Sequence, residues 1–130
     1  MKEYDGRVRL VFKDMPLAFH DLARPAHEAA RCAGEAGKFW AYHDRLFEEQ
    51  PAFERADLVR YAAELGLDRA AFVRCLDERR FAAAVEADLS QARALGISGT
   101  PTFLINGRPL VGAHPIETFR TAIDAALKTP

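Results

Sequence analysis

The stretch "GISGTPTFLINGRPLVGAHP", residues 96–115, decides the fold. Pro101 stands immediately ahead of the short apolar run "TFLI". Proline has no N–H to give to a sheet ladder, so a proline at the first position of a strand is there for its position. Asn106-Gly107 is a hairpin turn signal, and "PLVG" reads as the returning strand. Pro109, just after that turn, predicts a loop slightly longer than two residues. Beyond it, Pro115 opens a helix in which Ile116, Phe119, Ile123 and Leu127 share a face. Glu117 early and Lys128 late suit the dipole of that helix.

Upstream, "RVRLVF" at 7–12 alternates, with Val8, Leu10 and Phe12 on one side and Arg7 and Arg9 on the other. This pattern predicts a first strand, ended before Pro16. From about Ala23 to Gly96 the pattern turns helical, rich in alanine and with apolar residues three and four apart. Phe39, Tyr42, Leu46 and Phe47 mark one helix, Leu58, Tyr61, Ala62 and Leu65 a second, and Val85, Leu89, Ala92 and Leu95 the last. Gly66 and Asp68 read as the stop of one helix and the N-cap of the next. Four or five helices are expected, in the order strand, helical block, hairpin, helix.

The chain has 130 residues, of which 49% are hydrophobic, enough for one domain with a real core. Its formal net charge is −1, with both signs interspersed, which argues against a polyanion partner such as nucleic acid. No stretch reaches the roughly 20 apolar residues of a membrane span, and "MKEYDGRVRL" lacks the apolar core of a signal peptide.

Two cysteines, Cys32 and Cys75, match neither a zinc pattern nor a CxxC pair. They are either two buried small residues or one structural disulfide. His20, His27, His43 and His114 have no metal-ligand spacing and read as surface or capping residues, with His114 beside a helix start. No metal and no cofactor is expected. The aromatic set Phe39, Trp40, Tyr42 and Phe47 reads as helix packing rather than a ligand pocket.

Three segments together resemble the bacterial DsbA-type thiol-disulfide oxidoreductases: "VRLVFKDMPL", "CAGEAGKFWAYHDRLFEEQ", and the long run from Cys75 to Asp124, in which "GISGTPTFLING" is the most specific part. The resemblance covers nearly the whole chain. It implies an α/β fold, a thioredoxin-like core with an inserted α-helical subdomain at about 20–96, all within a single domain, residues 1–130. It also implies that the Thr100–Pro101 bond is cis, and that Gly99, Thr100 and Pro101 meet the substrate peptide opposite a CxxC dithiol.

That dithiol is absent from this sequence, since only "MKEYDG" precedes "RVRLVF". The chemistry needs a thiolate, activated in such motifs at a helix N-terminus; thioredoxin and DsbA are the standard examples. No catalytic residue is therefore assigned. The chain is expected to be an N-terminally incomplete oxidoreductase domain, inactive alone. One alternative is a non-catalytic thioredoxin-like module that binds peptides at Thr100 and Pro101, and a second is a relative of the kappa-class glutathione transferases. Polypeptide substrates and an extracytoplasmic, periplasmic setting for full-length relatives follow from the resemblance. The missing segment would be a central strand of the sheet, so a homodimer through exposed or swapped strands is expected to close the gap.

Overall fold

The computed structural model describes residues 1–129. The chain divides into two compact units, one formed by residues 14–91 and the other by residues 1–13 together with 92–130. The first is thus inserted within the second along the chain.

Five helices build the inserted unit: α1 (Ala23–Glu35), α2 (Phe39–Glu48), α3 (Arg55–Glu64), α4 (Arg69–Asp77) and α5 (Ala82–Ala94), the last running across the boundary between the units. Alanine decides how closely they pack. Ala29, Ala33 and Ala62 are wholly enclosed, and their small side chains let neighbouring helices approach around the larger Tyr42, Leu58, Tyr61 and Phe72. Both buried tyrosines satisfy their polar ends: the Tyr42 hydroxyl donates to the Leu58 carbonyl at 2.8 Å and the Tyr61 hydroxyl to the Ala52 carbonyl at 2.7 Å. Burial pushes the Tyr42 hydroxyl far above its ordinary pKa.

Local signals set the helix ends. Gly66 takes φ +80° just past α3, a conformation an L side chain resists, and the Asp68 carboxylate accepts the Ala71 N–H at 3.0 Å to cap α4. The Asp57 carboxylate accepts the Glu54 N–H at 3.1 Å at the start of α3.

In the other unit, β1 (Thr102–Ile105) and β2 (Arg108–Val111) form an antiparallel hairpin, followed by α6 (Ile116–Leu127). Phe103 meets Phe119 edge to face at 4.7 Å, so the Phe103 face of the hairpin packs on α6. The Tyr4 hydroxyl donates to Asp124 at 2.8 Å, and Arg120 pairs with Glu3, fastening the first residues to α6.

Two expectations fail. Residues 7–12 form neither strand nor helix, and Leu10 and Val11 are exposed. Alternation makes a strand only where a neighbour supplies the ladder, and among the described residues β1 and β2 pair solely with each other. The hairpin loop is also not lengthened by Pro109. Ile105 pairs with Arg108 across a two-residue turn, in which Asn106 and Gly107 both have positive φ, +48° and +84°. Pro109 faces Leu104 at a position whose backbone groups point away from β1, so its missing N–H costs no ladder bond.

Candidate functional site

The loop Gly99-Thr100-Pro101 leads directly into β1, with Pro101 one residue ahead of the strand. Both the Thr100–Pro101 and the Gln50–Pro51 bonds are cis. The loop is held from two sides. The Thr102 hydroxyl donates to the Gly99 carbonyl at 2.7 Å, and the Gly112 N–H donates to the Pro101 carbonyl at 2.8 Å, adding a rung beyond the end of the hairpin. Gly112 sits at φ +97°, which glycine alone adopts without strain. His114 donates from Nε2 to the Val111 carbonyl at 2.7 Å and lies 3.9 Å from where a Cβ on Gly112 would stand. It therefore braces the far end of β2 and does not cap α6, whose N-cap is Pro115.

Bond parity gives the loop its chemical character. The Ile105–Arg108 and Phe103–Leu110 pairs exchange ladder bonds, and Pro101 continues the same parity by accepting the Gly112 N–H, so the N–H and C=O of Thr102 and Leu104 point away from β2. Thr100 and Pro101 are exposed while Gly99 is half-buried. The arrangement offers an extended chain backbone groups on the open side of β1, at the point where Thr100 and Pro101 stand clear of the hairpin.

Cys32 on α1 and Cys75 on α4 lie in the inserted helical unit, joined by a disulfide with a Cα separation of 6.0 Å. Both are buried, at 5% and 1% exposure. The alternative of two separate core thiols is thus displaced, and no free cysteine remains among the described residues. The bond ties α1 to α4, and thiol exchange requires access to a sulfur, which the burial of both residues opposes. Among the described residues no group of three or more His, Cys, Asp or Glu side chains is placed to hold a metal ion.

The aromatic set divides. Tyr42 is core and Phe39 half-buried, but Trp40 and Phe47 are exposed, because α2 turns only one of its faces into the cluster. The larger surprise is Asp14, a buried carboxylate at 2% exposure with no counterpart in the sequence reading. It accepts from His27 Nδ1 at 2.8 Å and from Arg31 Nε, so His27 is neither a surface nor a capping residue. Burial alone would raise the Asp14 pKa, but the bonds from His27 and Arg31 outweigh it and hold the carboxyl below its ordinary value. A second buried carboxylate, Glu28, takes two bonds from Arg79, itself at φ +47°. The spacing of Arg24, His27, Glu28 and Arg31 on α1 was the available clue, since steps of three and four gather these charges along the helix.

A segment of the Na(+)/H(+) antiporter NhaA of Herminiimonas arsenicoxydans is 42% identical over 90 residues, covering 69% of this chain and 14% of that protein. The Na(+)/H(+) antiporter NhaA of Nitrosospira multiformis is 32% identical over 127 residues, 95% of this chain and 20% of its own length. Disulfide bond formation protein D of Bacillus subtilis is 26% identical over 98 residues, 69% of this chain and 43% of that protein. The chain thus spans a fifth or less of the antiporter relatives and under half of disulfide bond formation protein D. No helix among the described residues is long and apolar enough to cross a membrane. A family model described as "Thioredoxin" matches residues 1–125, and the hairpin, its flanking α6 and the inserted helical block agree with it: the chain belongs to the thioredoxin family, with an α/β thioredoxin-like fold carrying a helical insertion.

Proposed function

We propose that this chain is the peptide-docking part of a DsbA-like protein thiol-disulfide oxidoreductase, binding extended polypeptides at Gly99, Thr100 and Pro101. The observation that carries the reading is the exposed Thr100-Pro101 loop, braced by Gly112 and Thr102 at the head of β1, in a chain of the thioredoxin family. The similarity to disulfide bond formation protein D supports the same chemistry. Binding uses main-chain hydrogen bonds along the open side of β1, so it favours unfolded or extended segments over folded ones. The redox step itself requires an accessible thiolate, and Cys32 and Cys75 are already bonded to each other and buried. By itself the chain therefore docks peptides without turning them over. A homodimer belongs to this proposal as the competing occupant, a second copy taking the same open edge when no peptide is bound.

A thiol-disulfide exchange assay on the chain, with a reduced unfolded polypeptide and a small-molecule disulfide as oxidant, tests this. The expected result is a rate equal to the uncatalysed reaction, unchanged by replacing Cys32 and Cys75 together. Catalysis abolished by that replacement overturns the assignment of the bond as purely structural.

The 42% identity to an antiporter segment favours a second reading, in which the chain works as a docking module attached to or acting upon a sodium–proton antiporter. Cross-linking in cells is expected to join it to an antiporter polypeptide; recovery with no membrane protein attached contradicts this reading.

A further inference from the structure

The apolar cluster of the inserted unit joins α1, α2, α3 and α4 through residues such as Ala29, Tyr42, Leu58, Ala62 and Phe72. The buried residues of α5, Val85 and Leu89, stand outside that cluster. Between α5 and α1 run polar bonds. Arg24 reaches Glu86 at 2.9 Å, and Arg31 reaches Asp88 at 2.7 Å. The same Asp88 oxygen accepts the backbone N–H of Asp14 at 2.9 Å, while the Asp14 carboxylate takes Arg31 and His27.

Arg31 is the centre of this arrangement. Its guanidinium forks between two carboxylates, Nε to Asp14 and Nη2 to Asp88, a division that a lysine ammonium cannot reproduce. The Asp14 and Asp88 side chains are 2% and 11% exposed, so the carboxylate ends of these bonds are shielded while Arg31 keeps some contact with water. Loss of one partner leaves a poorly solvated charge unmatched, which costs more than breaking a surface pair. The residues it joins are the first of the inserted unit, Asp14, and one three positions before its last, Gln91.

We propose that Asp14, Arg31 and Asp88 form an ionic latch on α5: when it breaks, α5 and the Asp14 end open together as one local unit, while the disulfide-tied helices α1 to α4 stay folded. The disulfide joins α1 to α4 and leaves α5 unconstrained, so the covalent tie and the ionic tie govern different parts of the unit.

Hydrogen exchange by mass spectrometry on the full chain tests this, with Asp88→Asn as the variant. The expected result is faster exchange of the Val85–Gln91 amides and of the Asp14 amide, on the order of tenfold or more, with α1, α3 and α4 unchanged. Arg31→Lys, which keeps the charge and loses the fork, is expected to give the same selective pattern should Asp88→Asn fail to fold. Unchanged exchange in α5, or equal acceleration through all five helices, overturns the latch.

Discussion

The Pro101 carbonyl accepts the N–H of Gly112 at 2.8 Å, so the Gly99–Pro101 loop and the end of the returning strand form one rung. Gly112 stands at φ +97°, and this geometry binds the position of Pro101 to the absence of a side chain at 112. Gly112→Ala is expected to destabilise the chain by about 1–2 kcal/mol, and Gly112→Val by more. Chemical denaturation measures the cost, and wild-type stability in both variants would show that the rung does not constrain the loop.

Thr102 acts on the same loop from the other side, through its hydroxyl to the Gly99 carbonyl. Thr102→Val keeps the shape and removes the donor. The expected cost is about 0.5–1.5 kcal/mol, together with weaker binding of extended peptides. Calorimetric titration with an unfolded polypeptide checks this, and undiminished affinity would separate the bond from the site.

The Cys32–Cys75 bond closes 43 residues of chain. In the chain-entropy account such a loop contributes about 3–4 kcal/mol, so replacing both cysteines by alanine should lower the denaturation midpoint accordingly. In the native oxidised protein a thiol reagent should find no reactive sulfur. Two thiols titrating in unfolded, non-reduced protein would contradict the bond.

Asp14 makes stability depend on acid pH. Its folded pKa lies below the ordinary 3.8, held there by His27 and Arg31 against burial. Its contribution is therefore fully present above about 3.8 and is lost as pH falls through the folded value. Asp14→Asn should cost about 2–3 kcal/mol near neutral pH, below the figure for fully buried pairs because Arg31 and His27 keep some contact with water. The variant should also flatten the acid limb of the stability profile. An acid limb identical to that of the wild type would remove Asp14 from the account.

Much of this was legible because local chemistry dictated it. Asn106-Gly107 specified a turn with positive φ at both residues, Gly66 and Asp68 marked a helix end and a cap, and helical periodicity found the inserted block. What escaped depended on partners distant in sequence. "RVRLVF" alternates like a strand, yet a strand is a pairing rather than a pattern, and no described neighbour supplies one. Pro109 seemed to interrupt the hairpin, but the parity of ladder bonds made its position harmless. Asp14 looks like any loop aspartate in "FKDMPL", and only folding brings it to His27 and Arg31, 13 and 17 residues away.

The central claim is that extended polypeptide docks on Gly99, Thr100 and Pro101. The most direct measurement is backbone-amide NMR of the full chain titrated with a reduced, alkylated, unfolded polypeptide. The account predicts shifts concentrated at Gly99, Thr100 and Thr102–Ile105, abolished in Thr100→Arg while the amides of α1, α3 and α4 remain as in the wild type. Shifts confined to the helical unit, or saturable binding unaffected by Thr100→Arg, would contradict it.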